Sequence, residues 1–293
     1  MKAKAFIPCT LKTLPEALVI KAALAAIECN PVNRPVVDTG LTVARIAALT
    51  SKYWGAGGVT LTVGFPFDNP PKDLRAKIIS HMNSWSQDGR SNIKFAETSG
   101  TAQVRIARTK SSGYWSYLGV DVLSIPKNQP TMNLDSFTMN TPDREFFRVV
   151  RHETGHTLAF PHEHMRADLV ARLDRAKTIT YFRQTQGWSE QETMQQVLTP
   201  LSEASLMATP ADQTSVMCYQ LPGSITKDGK PIPGGNDINE SDLAFAAKIY
   251  PSVVSPPEPP VPPTPPVDVA TTMIILGQSG KEMSRYKLTR ITP

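Results

Sequence analysis

Apolar positions along the chain change their period several times, and each change marks an element. "VTLTVGF" (59–65) alternates apolar and polar residues and predicts a strand. "PPKDLRAKIISHMNSW" (70–85) sets Leu74, Ile78 and Met82 about one turn apart behind an opening proline, which predicts a helix. "IKFAET" (93–98) and "AQVRIAR" (102–108) read as strands, as do "DVLSI" (121–125) and "TMNL" (131–134). A helix follows from about Asp143. "WSEQETMQQVL" (188–198) predicts a helix capped by Ser189 with Glu192, and "ESDLAFAAKIYP" (240–251) a closing helix stopped by Pro251. Near the start, Thr13-Leu14-Pro15-Glu16 reads as a capping box opening a helix through about Glu28.

These elements divide the chain into a helical lead-in (1–50), a main domain (51–251), a linker (252–267) and a short tail (268–293). The linker contains "SPPEPPVPPTPP", with eight prolines in twelve residues, and must be an extended polyproline spacer. The tail holds one apolar run, "VATTMIIL" (269–276), which suits a strand but is too short to fold alone.

Composition narrows the function. The net charge of +5 is not clustered, so nucleic acid is not indicated. No run of eighteen apolar residues occurs, so no membrane span is expected. Pro8, Pro15, Glu16 and Lys21 interrupt any signal-peptide core, which points to a cytoplasmic protein or one exported without a leader. Three cysteines, Cys9, Cys29 and Cys218, are no disulfide framework.

Four of the five histidines fall within "RHETGHTLAFPHEH" (151–164). On a helix, His152 and His156 lie one turn apart on one face, where two imidazoles could share a zinc ion. Glu153 projects to the flank, where it could take a proton from a water on the metal. On a continuing helix His162 would be rotated by about 240° and displaced by about 9 Å from His156. It can join them only if the helix stops first, and Pro161 supplies a stop.

The run His152, Glu153, His156, Ala159, His162 resembles the long metzincin zinc motif, with alanine in the glycine position. "FPHEHMRADL" is similar to the stretch that follows in the astacin family. "SGYWSYLG" (112–119) resembles that family's S-G-C-W-S-Y-V-G run and "SVMCY" (215–219) its Met-turn, with Tyr114 and Cys218 as departures. The resemblance covers about residues 50–251 and looks like a bacterial branch. It implies an α+β metzincin fold: a mixed sheet with two long helices above a zinc cleft, "TMNL" along the cleft, and an irregular, mostly helical lower subdomain. It also implies one Zn²⁺ held by His152, His156 and His162. Glu153 would be the general base, Tyr219 would stabilise the oxyanion, and Met217 would form a floor under the metal. Glu163 matches the glutamate that binds a freed N-terminus in the family.

The implied activity is zinc-dependent hydrolysis of protein or peptide substrates by a monomer. A non-catalytic, zinc-stabilised peptide-binding or adhesion module is the alternative from another class, and a serralysin-like metzincin the alternative within the class. His164 reads as a solvated bystander, and His81 and Cys218 as structural. Cys9 raises a sharper idea: a thiolate can ligate zinc and hold a protease latent.

Overall fold

The computed structural model describes residues 8–35, 42, 47, 49–55, 57–201, 210–252, 272–276 and 282–287. The chain divides into two compact units, 1–254 and 255–293.

The first unit is built on a six-stranded sheet. Its strands are β1 (Cys9–Lys12), β2 (Val59–Gly64), β3 (Ile93–Glu97), β4 (Val104–Ala107), β5 (Tyr114–Tyr117) and β6 (Met132–Leu134). They lie in the order β1-β5-β6-β4-β2-β3. Only β5 against β6 is antiparallel; the other pairs are parallel. Two corrections follow. "TMNL" forms β6, which is paired on both sides by β5 and β4, and the strand that lies beside β1 is β5, a segment without clear alternation. "DVLSI" falls in a 3-10 turn over Gly119–Ser124, with Val120 and Val122 buried.

The helix Lys72–Met82 buries Leu74, Ile78 and Met82 as its spacing predicts. A second helical run passes from Asp143–Glu145 through a five-residue π-helical turn, Phe146–Val150, into Arg151–Thr157. These helices enclose one core with Leu61, Val63, Phe95, Val104 and Ile106 of the sheet. A second cluster, including Leu169, Phe182, Val197 and Tyr219, forms the core of the lower, mainly helical half. Ser189 and Glu192 form the expected capping box on the helix Glu190–Thr193.

The lead-in is not wholly helical. β1 precedes the helix Glu16–Cys29 and joins the sheet beside β5. Pro15 occupies the N-cap of that helix with no side-chain capping bond, so the predicted capping box is absent. The Thr13 hydroxyl accepts from Gln195 Nε2 instead, at 3.5 Å. Asn33 anchors the lead-in to the main domain by accepting from Tyr53 N (2.8 Å) and donating to Tyr53 O (2.7 Å).

In the second unit, Thr272–Leu276 pairs antiparallel with Glu282–Lys287 across a register shift at Ile275/Leu276. The proline-rich segment 255–266 lies outside the described residues. Among the described residues no helix is long and apolar enough to cross a membrane.

Candidate metal centre

The helix Arg151–Thr157 is buried at every residue, and its two histidines share one face. The ring centroids of His152 and His156 lie 4.7 Å apart. The helix ends at Thr157, and Ala159 turns the chain with φ +70°. Three backbone bonds close the turn: Leu158 N to Thr154 O, Ala159 N to His156 O, and Phe160 N to Gly155 O. His162 then points back, its ring 4.5 Å from His156 and 5.2 Å from His152.

The helix's last carbonyls are held by distant aromatic residues. Trp54 Nε1 donates to Thr157 O at 2.7 Å, and the Tyr250 hydroxyl to Leu158 O at 2.8 Å. Terminal carbonyls buried without such partners would be costly.

The residues fit a zinc ion. One ligand atom from each of His152, His156 and His162 lies within 4.8 Å of the others. Tetrahedral zinc at 2.0–2.1 Å from each nitrogen needs them roughly 3.3 Å apart. The 3.0 Å between His156 Nε2 and His162 Nε2 sits close to that. Outer partners orient the rings. His152 Nδ1 meets Val216 O at 2.6 Å, and His156 Nδ1 meets Phe160 O at 2.8 Å. With Nδ1 as donor, each ring turns the Nε2 lone pair toward the cluster. His152 Nε2 is buried and has no hydrogen-bond partner. Burial is the main cause lowering the pKa of all three, to about 4 for His156. Neutral imidazoles are what a metal requires.

Glu153 is fully buried beside this cluster. Burial pushes its carboxyl up to about 8, while Cys9 and Arg148 pull the other way.

The turn Ser215-Val216-Met217 passes beneath the histidines. Ser215 Oγ donates to Asp242 Oδ1 at 2.6 Å and accepts from Met217 N at 3.0 Å. Val216 N donates to Asp242 Oδ2 at 3.0 Å. Glu163 N donates to Met217 O at 2.9 Å. Glu163 Oε1 accepts from Asp212 N at 3.0 Å. Asp242 was missed in the sequence, although Asn239-x-x-Asp242 is a readable capping box and is observed as one.

Tyr219 is buried, with its ring 4.7 Å from that of His162. His164 is no solvated bystander: it is fully buried and stacks on Tyr219 at 3.9 Å between centroids. Cys9 also lies at the site. Burial, and after it the nearby Glu153 carboxyl, raises the pKa of its thiol, and its carbonyl accepts from the Tyr219 hydroxyl. His81 packs against Phe146 and Phe147, and Cys218 is buried, both as expected of structural residues.

A buried three-histidine cluster, a carboxyl beside it and a methionine turn below it, at the edge of a mixed sheet, define a zinc metallopeptidase domain of the metzincin class. The sequence profile of the astacin peptidase family matches residues 50–231. The chain belongs to the astacin family, which sets aside the serralysin-like alternative. Myroilysin is similar in two solved structures. One is 31% identical with TM-score 0.64, covering 69% of this chain and 97% of that one. The other is 28% identical with TM-score 0.51, covering 84% and 100%. Zinc metalloproteinase nas-27 of Caenorhabditis elegans is 28% identical over 109 residues, 37% of this chain. The match spans 23% of that relative's length.

Proposed function

We propose that the chain is a zinc endopeptidase, acting as a monomer with one zinc, and that its own N-terminal strand holds it latent. The observation that carries this reading is the position of β1. An extended peptide segment already lies along β5, with Cys9 against Glu153 and Tyr219. A cleft that pairs with one peptide backbone is suited to pair with another.

Zinc held by His152, His156 and His162 would supply Lewis-acid polarisation and lower the pKa of a water to about 7. Glu153 takes a proton from the water that attacks the scissile carbonyl and delivers it to the leaving amine. Its buried carboxyl, raised toward neutral pH, suits both halves of that transfer. The Tyr219 hydroxyl donates to the developing oxyanion. Met217 packs as an apolar floor under the ligands. The substrate replaces β1 beside β5. In the latent chain the Cys9 thiol occupies the space the attacking water needs.

The test is zinc content and casein cleavage by the full-length chain, by Cys9→Ser and by Glu153→Gln in the Cys9→Ser background. Cys9→Ser should cleave without prior proteolysis. The double variant should hold zinc but lose roughly 10²–10⁴-fold in rate. Zinc retained by all three with no cleavage by Cys9→Ser would favour the peptide-binding alternative. Absence of zinc from all would sink the reading.

A further inference from the structure

Gln196 sits half-buried in the π-helical turn Met194–Leu198, across the cleft from β5. Its side-chain amide makes two hydrogen bonds to one residue of β1. Oε1 accepts from Leu11 N at 3.0 Å, and Nε2 donates to Leu11 O at 3.1 Å. This is the pairing one strand residue offers another, supplied by a side chain. It uses only backbone groups, so the identity of the residue at that position does not enter.

Alternate residues of a strand turn their amide groups to opposite edges. Cys9 and Leu11 therefore face the same edge, and their partners there are Tyr219 and Gln196. The strand lies between two rails: β5 above, with Leu11 in register with Ser116, and this pair below. The lower rail is internally linked. Gln196 O meets His164 Nε2 at 2.9 Å, and His164 stacks on the Tyr219 ring. His164 Nδ1 also accepts from Tyr219 N at 3.4 Å.

We propose that Gln196 is the lower-wall residue that holds the backbone of an extended peptide substrate, two residues from the position that meets Tyr219, and that through His164 it fixes where Tyr219 stands. This rests on the reading of the cleft as a peptidase site. A primary amide suits the role for a second reason. A half-turn of its terminal torsion exchanges Oε1 and Nε2. The same side chain can thus pair with a strand of either polarity, first β1 and then a substrate running the opposite way.

Two measurements test it, both on the full-length chain. The first is hydrogen exchange of the Leu11 amide in the wild type and in Gln196→Met, which keeps the length and removes the amide. Loss of the bond should speed exchange at Leu11 roughly three- to tenfold and leave β2 and β3 unchanged. The second uses the Cys9→Ser chain with a peptide substrate N-methylated at one position at a time. One position should show a three- to tenfold loss of kcat/KM, mainly in KM, that disappears when Gln196→Met is added. A structural role alone would lower activity on every peptide alike. Hydrolysis with the same N-methyl penalty in both chains overturns the substrate role. Absence of hydrolysis in either chain would count against the peptidase reading, and the exchange result would then decide whether Gln196 holds a backbone at all. Unchanged exchange at Leu11 overturns the proposal.

Discussion

Gly155 lies between the two helix histidines, and replacing it with alanine sets two effects against each other. Alanine is the better helix former by about 1 kcal/mol. The new methyl, however, would lie 2.3 Å from Met217 Sδ and 2.9 Å from Trp85 Cζ2. Overpacking costs about 1–3 kcal/mol when neighbours cannot move. Here they are held. Trp85 is fully buried and its indole N–H donates to Arg151 O at 2.9 Å. Met217 is only 3% exposed, which leaves its thioether little space to swing into, and its backbone is fixed through the amide by Ser215 and through the carbonyl by Glu163. The upper end of the range applies, and the net loss should be about 2 kcal/mol. Displacing Met217 also disturbs Val216 O, which orients His152. Loss of such support typically weakens metal binding 10- to 100-fold. Urea melts with and without zinc, and zinc titration against a competing chelator, would measure both effects. Adding Met217→Ala should make the pair less costly than the sum of the singles, because the methyl then has room. An unchanged melt and unchanged zinc affinity in Gly155→Ala would refute the packing argument.

Other substitutions probe the frame around the site. Arg105 is 2% exposed, and its guanidinium donates to the carbonyls of Ala102, Gln103, Ile125, Pro126 and Gln129. Arg105→Lys cannot reproduce that fork and should cost roughly 2–3 kcal/mol in urea unfolding. Asp242 has its carboxyl pushed up to about 6, chiefly by burial. Its folded pKa exceeds the unfolded value, so its contribution to stability is complete below about pH 4 and declines as pH rises through 6. Asp242→Asn can keep the contacts to Val216 N and Asn239 N. It should match the wild type near pH 4 and exceed it by on the order of 2 kcal/mol at pH 8; parallel curves would contradict this. Ala159→Gly should change stability by less than about 1 kcal/mol in the same urea assay.

The zinc motif was legible because its information is local: one helical period, one proline stop, one return. The capping box of Ser189 and the helix of Leu74, Ile78 and Met82 were readable for the same reason. What escaped depends on distant partners. β5 carries Tyr-Trp-Ser-Tyr and becomes a strand because β1 and β6 pair with it on either side. "DVLSI" has the composition of a strand, but Val120 and Val122 reach the core from a 3-10 turn. His164 looks like one more polar residue after a proline, and only Tyr219, 55 positions on, makes it a buried stacking partner. Cys9 raised a chemical question in the sequence, and the pairing of β1 with β5 is what gives that question a geometry.

Ala159 is a different kind of departure, since there the residue type contradicts the backbone. Its φ of +70° lies in the left-handed region, at a cost of roughly 1–2 kcal/mol for a residue with a Cβ. Two gains offset that cost. The methyl is buried at 3% exposure, contributing about 0.8 kcal/mol. Alanine also avoids the roughly 0.5–1 kcal/mol of extra backbone entropy that glycine loses on folding. The terms nearly cancel, so alanine and glycine are close to equivalent in this turn. The methyl has room because of a second residue. Gly119, at the end of "SGYWSYLG", has φ +48°, and a Cβ there would lie 2.6 Å from the Ala159 methyl and 2.0 Å from Lys52 O. The alanine that departs from the motif is therefore accommodated by a glycine forty residues earlier in the segment that follows the cleft edge. The ligand return to His162 is kept by the pair, not by Ala159 alone.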